Sequence, residues 1–420
     1  MDQILKIYER FSKHPHITTD SRKVEQGDIF FALKGDNFNG NKFAATALDA
    51  GASFAVIDEE DFFVSADDRY ILVEDVLTTL QQLARHHRRT VNPTILAITG
   101  TNGKTTTKEL TAAVLSKKFE NLSYTRGNLN NHIGVPLTLL SIPSDCKMAI
   151  VEMGASACGE IELLCSIAEP NYGLITNIGN AHLEGFGGPE GVKKGKGELY
   201  EFLAAHEGVC FVREEDSVLI EIADKKELNN RIKYSGKEGE KYDSNLIGEY
   251  NKLNIAAAVA VGRHFGVSEE DIKCAIGCYV PTNNRSQRRE TEHNTLIIDC
   301  YNANPSSMKA SIENFRALQN DLHPEKIMIL GDMLELGDWS HNTHKEILEL
   351  ALESDCKKIF LVGKNFAAAA EEFTESKERV SVFQNKEILL DALAKSKPTN
   401  ATILIKGSHS IGLEHCINLF

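Results

Sequence analysis

Residues 95–107 read Ile95-Leu-Ala-Ile-Thr-Gly-Thr-Asn-Gly-Lys-Thr-Thr-Thr107. An apolar run of strand type ends in two glycines, a lysine and three threonines, and a helical pattern follows. Glycines let backbone N–H groups crowd around phosphate oxygens, and a helix N-terminus adds the positive end of its dipole. Lys104 can then reach a terminal phosphate, and the Thr105 hydroxyl can hold a magnesium ion. In the usual P-loop four residues separate the first glycine from Gly-Lys; here Gly100 and Gly103 enclose only Thr101 and Asn102. Alone, so short a loop could be a plain strand-to-helix turn. The strand before it, and the helical spacing of Leu110, Ala113 and Val114 after it, favour a nucleotide phosphate site made by residues 100–106: Gly100, Thr101, Asn102, Gly103, Lys104, Thr105 and Thr106.

Working outward, 420 residues are too many for one ordinary core, so two or three domains are expected. Apolar and charged content suit a globular protein, and no apolar run is long enough to span a bilayer. The start of the sequence has no signal-peptide pattern, and its nine cysteines form no C-x-x-C pair, which suggests reduced thiols in a cytoplasmic protein without membrane insertion. A net charge of −14 argues against general nucleic-acid binding. The dense basic run Arg85-His-His-Arg-Arg89 ends a helical pattern, and cations at a helix C-terminus explain it.

Three parts are expected: a small α/β unit over residues 1–90, a central unit over 91–284 and a third over 285–420. The central part alternates helices with apolar runs at 94–99, 149–153 and 173–178, the pattern of a parallel sheet covered on both faces. The turn-rich stretch 281–287 reads as a linker. Beyond it a second αβ series has strands at 296–299, 327–330, 359–362 and 403–405.

Ligands of parallel sheets bind beyond the carboxyl ends of the strands. Three such ends in the central part carry suitable groups: the glycine loop, Glu152 after 149–151, and the run 177–182 that ends in His182. Thr105 and Glu152 suit magnesium, which favours oxygen ligands. Taken singly, Glu152 could be an exposed strand-end charge and His182 a loop histidine satisfied by backbone. Their placement past successive strands favours one shared site. Lys196 is the oddity. In the predicted helix 191–204 it falls on the inward stripe of Val192, Leu199 and Leu203. Either it snorkels to water, which the pattern alone favours, or it sits in a polar pocket where desolvation keeps the amine available for chemistry.

Several of these segments resemble the Mur ligases: Gly100–Thr106, Gly127-Asn-Leu-Asn-Asn131, Gly134-Val-Pro136, Gly179–Gly187 and Lys196-Gly-Glu198. Tyr301-Asn-Ala-Asn-Pro305 and Gly331-Asp-Met-Leu-Glu-Leu-Gly337 narrow the resemblance to the MurF type, and Thr19–Arg22 with Phe30–Gly35 look like its UDP-sugar end. The resemblance spans nearly the whole chain. It implies a three-domain α/β fold: a small N-terminal domain, a central P-loop mononucleotide-binding domain with a mainly parallel sheet, and a C-terminal Rossmann-like domain. It implies an ATP-dependent ligase of peptidoglycan synthesis, working through an acyl phosphate on UDP-N-acetylmuramoyl-tripeptide and D-Ala-D-Ala, with Mg2+ as cofactor. A monomer is expected.

By that resemblance Lys104, His182 and Lys196 are catalytic. Thr105 and Glu152 hold one magnesium ion, while His182 and a carbamylated Lys196 help to hold a second. Asn251, Arg285 and Asp299 address adenine, phosphate and ribose. Ser21, Arg22 and Lys34 address the uridine diphosphate, with Asn128 and Asn131 between it and the reacting carboxylate. Tyr301, Asn302 and Asn304 are candidates for the dipeptide. Three features depart from the family pattern. Tyr250 stands where histidine is usual, His409 where arginine is common, and the segment 235–246 is short. A folylpolyglutamate synthetase, a ligase for another peptide position and a scaffold without turnover are the rival readings. The Asn128–Asn131 motif and the UDP-sugar-like start disfavour the folate enzyme, the Tyr301–Pro305 motif disfavours the ligase for the preceding peptide position, and the retained Lys104, Glu152, His182 and Lys196 disfavour the scaffold.

Overall fold

Each apolar run of the sequence is a strand core whose neighbours are supplied from elsewhere in the chain. The structure, a computed structural model, describes residues 2–282, 284–373 and 378–420. Near the N-terminus four short parallel strands, Ile17–Thr18, Ile29–Phe31, Phe54–Ile57 and Tyr70–Leu72, pair in that order. A hairpin of Lys34–Gly35 and Phe38–Asn39 stands beside them.

The helix Val76–Val91 follows, capped by the Asp75 side chain and ended at Asn92 in the left-handed region. It carries the basic run, whose cations do more than offset a dipole. Arg88 is buried and donates to the carbonyls of Ala168 at 3.0 Å and Glu169 at 2.8 Å. It thereby satisfies the end of another helix, Glu160–Ala168. Apolar residues of the first unit, among them Ile7, Phe11, Ile29 and Leu80, join one buried core with Ile95, Val151 and Leu199 of the next.

The central sheet is wholly parallel, in the order Arg231–Tyr234, Val209–Arg213, Tyr172–Ile175, Thr94–Thr99, Met148–Glu152, Leu122–Tyr124. Its four inner strands are buried on both faces over most of their length, which explains why they read as nearly continuous apolar runs. The connection from Thr94–Thr99 runs to Leu122–Tyr124 at one edge, whereas the one from Met148–Glu152 crosses to Tyr172–Ile175 on the other side of Thr94–Thr99. The crevice beyond its carboxyl end is therefore the topological switch point, where open α/β sheets take ligands.

The C-terminal sheet runs Gln287–Glu290, Asn294–Asp299, Ala401–Lys406, Glu325–Gly331, Lys358–Val362, Val380–Phe383, antiparallel only at its first pair. Gln287, expected in a linker, thus begins an edge strand, because its backbone pairs with Ile298. Asn283 of that expected linker lies outside the described residues. The strand expected over 173–178 ends at Ile175, since Thr176 and Asn177 turn their side chains onto the glycine loop. All nine cysteines are free, and burial pushes the Cys210 and Cys416 thiols up to about 12. Among the described residues no helix is long and apolar enough to cross a membrane.

Candidate active site

Gly100 (φ +138°) and Gly103 (φ +79°) bracket the turn that releases the chain from Thr94–Thr99 into the helix Lys104–Leu115. Both are needed there. A Cβ on Gly100 would collide with the Thr176 hydroxyl, and one on Gly103 with the Asn254 side-chain oxygen. Asn177 fixes the loop between them: its side chain accepts from the Asn102 N–H at 3.1 Å and donates to the Asn102 carbonyl at 3.0 Å. Thr101 exchanges hydrogen bonds with the backbone of Gly179. The Lys104 ammonium folds onto the loop, donating to the carbonyls of Gly100 at 2.7 Å and Thr101 at 3.0 Å. Desolvation, with the Arg285 cation adding to it and Glu152 opposing it, pulls Lys104 down to about 8.

Glu152 closes its strand with its side chain almost wholly buried. Its Oε1 accepts from Thr105 Oγ1 at 3.2 Å and from Asn130 Nδ2 at 2.8 Å. Its Oε2 is buried without a hydrogen-bond partner, and the nearest cation, the buried Lys108 Nζ, is 3.9 Å away. A buried carboxylate oxygen with no donor is costly unless something else completes it. An oxygen-seeking cation fits that vacancy in bonding. Among the described residues no three His, Cys, Asp or Glu side chains cluster around one point, so phosphate and hydroxyl oxygens would have to complete such a site.

Lys196 does not snorkel. It is 2% exposed within the helix Pro189–Ala205, and its Nζ donates to the Ala155 carbonyl at 3.0 Å over the ring of Phe186. The core-facing stripe of Val192, Leu199 and Leu203 is buried as its spacing requires and holds the stem inward. Burial first, and repulsion by Lys104 second, lower the Lys196 pKa well below its usual value, which favours the neutral amine. Two residues on, Glu198 accepts from the N–H groups of Gly159 at 2.6 Å and Glu162 at 3.0 Å, tying this helix to the start of Glu160–Ala168. His182, with φ +50°, meets the Glu335 carboxylate through Nδ1. Burial lowers its pKa, Glu335 opposes this, and Lys104 and Lys196 add to the lowering.

The C-terminal unit supplies the facing wall. Asp299 and Lys406 end adjacent paired strands and form an ion pair at 2.7 Å. Asp299 also accepts from Ser311 Oγ and from the Ser286 N–H. Tyr250, the departure beside Asn251, donates or accepts at Ser286 Oγ at 2.6 Å. Asn251 itself donates to the Ile247 carbonyl and accepts from Asn254. The Arg285 guanidinium lies 3.9 Å over the Tyr301 ring, on which His409 also stacks. Asn304 caps the helix Pro305–Ala317 and donates to Asn102 Oδ1 at 2.8 Å, so it reaches the glycine loop across the two units.

Lys104, Glu152, His182, Asn251, Arg285, Asp299, Tyr301, Asn302 and Asn304 thus line one cavity of about 700 Å³. Thr105 and Lys196 are buried behind its wall. Asn131 also faces it, while its side chain accepts from the N–H groups of Ile133 and Gly134 and so organises the next helix. Asn128 is exposed outside the lining. Ser21, Arg22 and Lys34 stand apart in the first unit. There Arg22 pairs with Asp20, and Lys34 with Asp58 at 3.1 Å. Sequence reasoning passed over Asn130, Asn177, Lys406 and Glu335. The first two lie within or beside quoted motifs, and Lys406 ends a recognised strand. Glu335 lies inside the quoted segment Gly331–Gly337, but nothing local pointed to a partner on the central unit.

A phosphate-type glycine loop, an incompletely bonded buried carboxylate and an inward lysine, walled by a second α/β unit, define a nucleotide-using ligase. The families matched are the Mur ligase family, catalytic domain (residues 14–88), the Mur ligase middle domain (98–243) and the Mur ligase, glutamate ligase domain (284–409). The chain belongs to the Mur ligase family, and within it to the MurF type. It is 35% identical to the UDP-N-acetylmuramoyl-tripeptide–D-alanyl-D-alanine ligase of Bacillus subtilis (strain 168), over 96% of this chain and 92% of that one. It superposes on MurF from Acinetobacter baumannii with TM-score 0.82 and 31% identity, covering 96% and 92% of the two chains. The MurF ligase from Thermotoga maritima in complex with ADP gives 0.79 and 26%, covering 96% of each.

Proposed function

We propose that this chain is an ATP-dependent ligase that joins D-alanyl-D-alanine to UDP-N-acetylmuramoyl-tripeptide, releasing ADP and phosphate. The observation that carries the reading is one cavity of about 700 Å³ walled by two units, with Gly103, Lys104 and Glu152 on one side and Asp299, Tyr301 and Asn304 on the other. The tripeptide carboxylate attacks the γ-phosphorus; a C–O–P linkage forms and the bond to the ADP oxygen breaks. The dipeptide amine then attacks the acyl carbon, a C–N bond forms, phosphate leaves with the C–O electrons, and the amine gives up a proton. Phosphoryl transfer needs positioning and charge neutralisation rather than a protein nucleophile, and the cavity offers those. Lys104, now turned onto loop carbonyls, exchanges them for phosphate oxygens. Asn251, Arg285 and Asp299 address adenine, phosphate and ribose, and Tyr301, Asn302 and Asn304 the dipeptide side. Ser21, Arg22 and Lys34 hold the uridine diphosphate, with Asn128 and Asn131 between.

Thr105 and Glu152 fit one magnesium ion, supported by the partnerless Glu152 oxygen. His182 and Lys196 fit a second, with Lys196 carrying a carbamate: the neutral amine adds to the carbon of CO2, forming an N–C bond and losing a proton. Magnesium bound there would neutralise charge on the phosphate oxygens. The first, central and C-terminal units, taken as 1–90, 91–284 and 285–420, divide the work among UDP-sugar, ATP and dipeptide. On this reading the enzyme acts as a monomer in the cytoplasm.

The test is incubation with ATP, magnesium, UDP-N-acetylmuramoyl-tripeptide and D-Ala-D-Ala. Phosphate and the UDP-linked pentapeptide should appear in equal amounts. Full-rate ATP hydrolysis without dipeptide would contradict the reading.

A further inference from the structure

Glu335 belongs to the loop that follows the strand Glu325–Gly331, on the C-terminal unit, yet its carboxylate meets Nδ1 of His182 on the central unit. We infer that Glu335 is a positioning residue for His182: by accepting the Nδ1–H it turns Nε2 toward the cavity, so the His182 cation site is complete only when the two units are docked. The inference rests on the assignment of His182 to a cation site.

The hydrogen bond fixes the tautomer. An ionised carboxylate only accepts, so Nδ1 carries the proton and Nε2 keeps its lone pair for a metal. Histidine ligands are oriented in this way by carboxylates in many metal sites. The other ionisable groups acting on the ring, Lys104 and Lys196, direct their amines to backbone carbonyls and do not take this part. Both residues of the pair hold left-handed backbone, His182 at φ +50° and Glu335 at φ +60°. Such conformations are unfavourable for these residue types and persist where the surroundings impose them.

The surroundings of Glu335 do impose it. The Met333 N–H donates to His344 Nε2 at 3.0 Å, and the Leu334 N–H to Ser408 Oγ at 3.2 Å. Asp332 accepts from the N–H groups of Asn365 and Phe366, both at 2.9 Å. The carboxylate is thus presented from a pinned backbone. Holding the units together is a poor explanation for it. The Glu335 side chain is 61% exposed, and exposed ion pairs add little to stability. Asn102 with Asn304, and Asn180 with Ser306, already bridge the same boundary.

The test uses the full chain with the non-hydrolysable β,γ-imido analogue of ATP and Mn2+ as probe, bound metal being counted by electron paramagnetic resonance. The sole tryptophan, Trp339, gives a second readout, because it lies against Gly188 of the central unit. Wild type should bind a manganese ion that His182→Ala loses. Glu335→Ala should bind that ion roughly 10- to 100-fold more weakly, with Trp339 emission on adding the analogue unchanged. Glu335→Gln, which keeps an acceptor without charge and the same shape, should fall between them and covers the case in which the alanine variant fails to fold. Wild-type manganese affinity in both Glu335 variants, with altered Trp339 emission, would make Glu335 a latch and overturn the inference. Equal manganese binding by wild type and His182→Ala would instead remove His182 from the metal site, and the inference with it.

Discussion

Replacing Lys104 by methionine should stabilise the nucleotide-free protein while abolishing its use of ATP. A fall of the Lys104 pKa from 10.5 to about 8 corresponds, at about 1.36 kcal/mol per pH unit, to a penalty of about 3 kcal/mol for keeping the ammonium charged at pH 7. The ammonium keeps two carbonyl partners and the residue is only partly buried, so about half of that, roughly 1–2 kcal/mol, should be recovered by the variant. The sign follows from linkage. Between pH 8 and 10.5 the unfolded chain binds more protons at this position than the folded one, so wild-type stability rises with pH there relative to the variant. The variant's advantage should therefore be constant below pH 8 and shrink as pH rises toward 10.5. Paired urea unfolding curves of the two proteins at pH 7, 8, 9 and 10 measure it. With saturating nucleotide the order should invert, because phosphate supplies the missing counter-charge and stabilises only wild type. Parallel pH profiles, or a variant less stable at pH 7 without nucleotide, would refute the reasoning.

Three further outcomes are expected. Lys196→Ala should fold, since it removes a buried amine from a helix, yet lose most turnover; formate or acetate should restore part of it, and the same ions should do nothing for Lys104→Ala. A Lys196→Ala protein with wild-type turnover at low magnesium would return that residue to a packing role. Arg88→Ala should cost about 2–3 kcal/mol in denaturant unfolding by stranding the carbonyls of Ala168 and Glu169, with kcat unchanged. Asn130→Ala removes one of the two donors that orient Glu152; it should raise the magnesium requirement about tenfold while leaving the KM for dipeptide in place, and an unchanged magnesium titration would count against it.

The parts of this protein that were legible in its sequence are those set by short-range chemistry. Buried parallel strands are apolar throughout, so Thr94–Thr99 and Ala401–Lys406 announce themselves. The glycine loop is legible because close packing against Thr176 and Asn254 tolerates no side chain. Lys196 shows the limit of periodicity. Its inward position could be read from spacing, but whether its amine reached water depended on Ala155 and Phe186, contributed by segments far along the chain. The basic run at 85–89 shows the same limit. A helix dipole accounts for cations there, yet Arg88 faces inward only because the helix Glu160–Ala168 ends beside it.

The boundary between the central and C-terminal units is where sequence reasoning loses most, and the contacts there have functional meaning. Asn102 belongs to the glycine loop and Asn304 caps a helix more than two hundred positions away, yet one hydrogen bond joins them. His182 and Glu335 are joined in the same way across 153 positions. Each pair sets a group of the central site only while the C-terminal unit is docked. An acyl phosphate exposed to water is wasted by hydrolysis, so an enzyme of this type gains by completing its site on closure. Polar contacts suit that task better than an apolar seam would. They are directional, so they set geometry when made, and each contributes little net free energy, so they can be broken once per turnover.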